Sequence, residues 1–236
     1  MRFSLLVCLF VSVHLSAAET PHFTLEQNQS QLLLSSGAAT KIPLATKPLA
    51  KELTIIGSAQ RVDVNAALSA QLVTFTLPGP AHASRALTVL LTKAAKSDAW
   101  FVQQEWIADK SEDDSGSKDE TQTFSVDAVG AITRRVHRMN VDNISYELPC
   151  KCCTAIQTKT METQEEETFA WSATSSSFER RTFRKWYITQ PGEGLVNVAR
   201  KALGDPTRLA RLYTLNPELR QAATLAEGQK VLVDKL

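Results

Sequence analysis

The chain has 236 residues, with 26 Lys and Arg set against 25 Asp and Glu, and 43% of its residues are hydrophobic. That composition belongs to a folded globular protein. A net charge of +1 excludes recruitment to nucleic acid or to an anionic membrane by bulk charge.

At the N-terminus, Met1 and Arg2 precede an apolar run from Phe3 to Leu15, and Ser16-Ala17-Ala18 closes it with small residues. This order predicts a signal peptide over 1–18, cleaved before Glu19. The run is shorter than the about 20 residues that cross a bilayer, so no membrane span is expected after cleavage. The expected location is therefore outside the cytoplasm: periplasmic, wall-associated or secreted.

Residues 19–50 are rich in Gln, Ser, Thr, Ala and Lys and read as an extended lead-in with at most one strand. From residue 51 the pattern alternates with period two. Leu53–Ile56, Arg61–Val64, Leu72–Leu77, Leu87–Leu91, Trp100–Ile107, Phe124–Val126 and Ile132–Val141 are β-branched or aromatic runs bounded by turn residues. They predict an antiparallel sandwich or barrel-like domain over 51–171. Trp100–Ile107 carries apolar residues on both faces, which suits a central strand, and core packing of Trp100 and Trp106 is preferred to an exposed ledge for sugar stacking. Asp109 to Gln122, with a dense acidic run, reads as a polar loop, and Glu165-Glu166-Glu167 as an acidic turn between strands at Thr154–Met161 and Thr168–Trp171. Small polar residues followed by a basic cluster predict a linker over 172–185.

Three cysteines beyond the signal peptide sit together as Cys150, Cys152 and Cys153. Three thiols in four residues leave three readings open: a disulfide within or between chains, a metal site recruiting His137 or Met161, or free thiols. His22, His82 and His137 show no zinc-peptidase spacing, every one of them precedes the cysteines, and no Gly-x-Ser-x-Gly motif occurs. No catalytic residue is singled out and no cofactor is expected.

In the last segment, Trp186 to Thr189 alternates as a strand and Pro191-Gly192 breaks it. Leu195, Val198, Ala199 and Leu203 have helical spacing, with Gly194 as N-cap and Gly204 as stop. Asp205-Pro206 opens a second helix through Leu209, Leu212 and Tyr213, Asn216-Pro217 ends it, and Val231 to Val233 forms a closing strand. The Pro191-Gly192-Glu193 turn, Gly204-Asp205-Pro206, Leu215-Asn216-Pro217 and Gly228-Gln229-Lys230-Val231 occur in an order that resembles the LysM module, a carbohydrate-binding unit of bacterial cell-wall proteins. Gly194 and Val196 depart from its usual residues. The resemblance covers residues 186–236 and implies binding of peptidoglycan or another N-acetylglucosamine polymer. The implied groove lies between Gln190, Pro191, Gly192, Glu193, Gly194 and Leu195 on one side and Thr224, Leu225, Ala226, Glu227 and Gly228 on the other.

The expected fold class is thus α+β: an antiparallel β-sandwich or barrel-like domain followed by a small βααβ LysM module. The expected function is a non-catalytic, exported peptidoglycan-binding protein whose β domain meets a protein partner. Two alternatives stand beside it. One is a cell-wall hydrolase, or a regulator of one, acting through the β domain; the other is a metal or thiol-redox protein centred on Cys150, Cys152 and Cys153.

Overall fold

Period-two alternation governs far more of the chain than its apolar runs suggest. The computed structural model describes residues 23–28, 31–36, 41–46, 56–65, 68–78, 83–94, 99–147, 154–221 and 224–235. The expected signal peptide and the cysteines Cys150, Cys152 and Cys153 lie outside the described residues.

The strands are β1 (Phe23–Asn28), β2 (Gln31–Ser36), β3 (Lys41–Pro43), β4 (Ile56–Asn65), β5 (Leu68–Pro78), β6 (Ser84–Ala94), β7 (Phe101–Asp113), β8 (Gly116–Val126), β9 (Ile132–Glu147), β10 (Thr154–Ser172), β11 (Ser177–Ile188) and β12 (Lys230–Lys235). Two short helices, α1 (Leu195–Leu203) and α2 (Leu209–Leu215), lie between β11 and β12. Among the described residues the strands make two sheets, a three-stranded β1-β2-β3 and a nine-stranded antiparallel sheet running in order from β12 back to β4. No helix among the described residues is long and apolar enough to cross a membrane.

Alternation on β5 and β6 separates two cores. Val73, Phe75 and Leu77 with Leu87, Val89 and Leu91 face the small sheet, where Phe23, Leu25, Leu32, Leu34 and Leu44 cover them. Residues 19–50 were expected as a lead-in; instead β1 to β3 form a lid over this face. Its end is fixed by Glu105, whose carboxylate accepts from the Ala45 and Thr46 amides at 2.7 and 2.8 Å. The opposite face presents Ala70, Leu72 and Leu90 to Trp106, Ile132 and Phe169. β7 and β8 pair only near their hairpin, Lys110–Asp113 with Gly116–Asp119. Beyond it they diverge, so the sheet curls and encloses this second core, with Trp106 5.2 Å from both Phe124 and Phe169.

The expected α+β class, a β domain followed by a separate βααβ LysM module, is corrected: the chain is predominantly β and no such module stands at its C-terminus. The strand that was to open the module is the far end of β11, a strand of 12 residues paired with β10 from Ser177 to Ile188. The helical segment packs its Leu195, Val198, Ala199 and Leu212 on Tyr187, Val231 and Val233, and Met161 of β10 joins the same cluster. Apolar contact and hydrogen bonding therefore run unbroken from the large sheet into the C-terminal segment. Residues 172–185, expected as a linker, form the β10–β11 hairpin turn and most of β11.

The polar segments became strands because their charges pair across the ladder. Lys110 meets Asp119 at 3.0 Å in the segment expected as a loop. Glu165, Glu166 and Glu167, expected at a turn, lie mid-strand in β10, a strand of 19 residues. Glu167 binds Arg134 at 2.8 Å and Arg180 at 3.0 Å, Glu166 binds Arg135 at 2.8 Å, and Glu165 binds Lys185 at 2.9 Å and Arg138 at 2.5 Å. Opposite charges on facing strands stabilise such a sheet where apolar area is scarce. Burial works against ionisation of Glu165, but Arg138 and Lys185 outweigh it and hold its pKa below the ordinary value.

Gly116 opens β8 with φ +146°, and a Cβ there would sit 1.8 Å from the Val141 carbonyl oxygen. Backbone on both sides cannot retreat cheaply. Gly116→Ala should cost about 1–3 kcal/mol, read as a lower denaturation midpoint with an unchanged slope.

Candidate functional site

Two turns meet at the end of β11. The first, after Thr189, contains Pro191 and Gly192, the latter at φ +73°; the second contains Gly228 at φ +74°. Thr189 joins them. Its amide donates to Gln229 O at 3.1 Å, its carbonyl accepts from the Gly228 amide at 2.9 Å, and its hydroxyl donates to Ala226 O. The Gln229 amide donates back to the Thr189 hydroxyl at 2.9 Å. A threonine at this position thus supplies both backbone groups and a side chain, and the turns hold a fixed spacing.

Glu193 fixes the first turn from beneath. It is 6% exposed. Its carboxylate accepts from the Tyr187 hydroxyl at 2.9 Å, from the Gln190 amide at 2.9 Å and from the Lys201 ammonium. Burial alone would raise its pKa; the Gln190 amide, Lys201 and Tyr187 more than offset that and hold the carboxyl below the ordinary range. Burial, together with the neighbouring Glu193 charge, pushes the Tyr187 phenol well above its ordinary pKa.

The residues expected to line a glycan groove therefore divide. Pro191, Gly192, Thr224, Ala226, Glu227 and Gly228 are exposed, and Gln190 and Gly194 are half-buried. Glu193 is spent as a strut, while Leu195 and Leu225 belong to the core beneath the turns. The exposed residues are brought together by the Thr189 stitch.

The Gln190–Glu193 turn also closes one side of a cleft of about 520 Å³, whose other wall is Ile144 of β9 and Gln157 to Thr160 of β10. Ile144 and Ile156 are exposed, at 47% and 67%. These residues were not singled out in the sequence, because the two walls of the cleft lie thirty or more positions apart and leave no local signature.

No family model matches the chain, and no curated protein or solved structure matches it.

Among the described residues no group of three or more His, Cys, Asp and Glu side chains could hold a metal ion. Of the residues expected to assist the cysteines, His137 instead lies 2.8 Å from Glu162, and Met161 packs against the helical cluster. Trp100 and Trp106 are both core residues, 8% and 6% exposed.

Proposed function

We propose that this is an exported, non-catalytic protein that binds N-acetylglucosamine-containing glycan, peptidoglycan above all, on the paired turns around Gly192 and Gly228. The observation that carries the reading is the Thr189 stitch. It presents two exposed, glycine-bearing turns at a fixed spacing. Pre-formed polar backbone on a rigid support suits acetamido groups, since little ordering remains to oppose binding. The resemblance of residues 186–236 to LysM sequences supports the ligand class without requiring a separate module, because the turns need only the end of β11 and the start of β12 to hold them.

Purified peptidoglycan should carry the protein down on sedimentation. At Gly194 an added Cβ meets nothing within 4 Å, and its φ of −104° suits any residue. The Gly194→Glu, Ala226→Glu double variant should therefore fold while placing bulk and negative charge between the turns. Its retention on peptidoglycan should fall at least about tenfold, the equivalent of 1.4 kcal/mol. Equal retention of variant and parent rejects the reading.

A further inference from the structure

The outer face of the large sheet carries a second feature, whose end at Lys230 lies beside the Gly228 turn. Thr121, His137, Gln164 and Trp186 are successive partners across β8, β9, β10 and β11. They form one rung of side chains on the face opposite the enclosed core, spanning three inter-strand spacings, roughly 14 Å. A groove of about 250 Å³ follows this rung, with Thr123 beside it and Lys230 of β12 at its end.

The state of its polar groups defines what it fits. Arg135 is neutralised by Glu166 at 2.8 Å, and His137 is engaged by Glu162 at 2.8 Å. The Trp186 indole N–H, the Thr121 and Thr123 hydroxyls and the Gln164 amide make no hydrogen bond to the described residues, and Trp186 belongs to none of the three apolar clusters. A half-buried indole outside every core, flanked by neutral donors and acceptors on a rigid sheet, suits a ring with one apolar face and a hydroxylated rim. The balanced charges argue against phosphate or a strongly charged peptide.

We propose that this rung is a saccharide-binding site, in which a pyranose ring stacks on Trp186 while its hydroxyls bond Gln164 and the two threonines, with Lys230 donating to an acceptor at the end of the ligand. The site stands on its own residues, and the paired turns contribute none of them.

The probe is the trimer of N-acetylglucosamine, titrated into the ¹⁵N-labelled protein. Trp186 Nε1–H reports the rung, and the amides of Gly192, Gly194 and Gly228 report the turns. The expected result is a saturable shift of the Trp186 indole signal and, followed at the Gln164 side-chain amide, an affinity at the rung at least about tenfold lower in Trp186→Ala. The Thr121→Val, Thr123→Val double variant keeps the strand's shape and should weaken the same binding several-fold. A titration that moves the glycine amides and leaves Trp186 in place overturns the rung while sparing the turns. One that moves Trp186 and leaves the glycines in place supports the rung and overturns the turn reading. Unchanged affinity at the rung in the threonine variant also overturns it.

Discussion

Replacing Glu193 by Gln should destabilise the protein by about 3 kcal/mol, because the buried carboxylate is the common acceptor of three donors. An amide of the same shape turns an N–H₂ group toward the Tyr187 hydroxyl, the Gln190 amide or the Lys201 ammonium, and it leaves the ammonium without its counter-charge. The effect should depend on pH with a definite sign. The folded-state pKa of Glu193 is depressed below 4.5, so its stabilisation is fully present above that value and is lost as pH falls through the folded-state pKa. The stability gap between parent and Glu193→Gln should therefore be constant near neutrality and close in acid below about pH 4.5. Urea midpoints measured across that range test it; a gap that persists undiminished into strong acid contradicts the assignment. Because the same carboxylate supports the Pro191-Gly192 turn, the variant should also weaken glycan retention at neutral pH while folded.

Trp106→Ala should cost about 3–5 kcal/mol, the range for removing a large aromatic from a close-packed core. Trp106 reaches from β7 to Phe124 of β8 and Phe169 of β10 at a point where β7 and β8 no longer share hydrogen bonds. The curl of the sheet therefore depends on side-chain packing there, with no ladder to hold it. Besides the lower midpoint, faster hydrogen exchange is expected in both β7 and β10. Exchange confined to β7 would mean that the two halves of the sheet hold their positions independently.

The apolar strands were readable from their spacing. Leu72–Leu77 and Leu87–Leu91 fall within β5 and β6, and the apolar residues on both faces of Trp100–Ile107 correspond to a strand whose Trp106 enters a core. Helix ends were equally readable, because Gly204 in the left-handed region and the Asp205 side chain capping Thr207 are local chemistry. What escaped were the strand segments densest in acids, Asp109 to Gln122 and Glu165 to Glu167. Glu165, Glu166 and Glu167 look like a turn until Arg135 and Arg134 of β9 are placed opposite Glu166 and Glu167, with Arg138 diagonal to Glu165, and nothing local records that pairing. The same blindness produced the expectation of a linker at 172–185, and with it a separate module. At the candidate site, the exposed turn glycines were legible from their Pro-Gly and Gly-Gln signals. The strut role of Glu193 was not, since its partner Tyr187 counts first as a strand residue.

The long ladder between β10 and β11, shifted in register once between Thr168 and Phe169, also sets how the protein would carry load. A pull entering at the paired turns acts along the axis of β11, whose pairing with β10 extends from Ile188 opposite Glu162 back to Ser177 opposite Ser172. In that direction the hydrogen bonds are sheared together, so tension is shared along the strand. A pull at right angles would peel them one after another. A ligand held at this end would thus draw on the mechanically strong axis of the sheet.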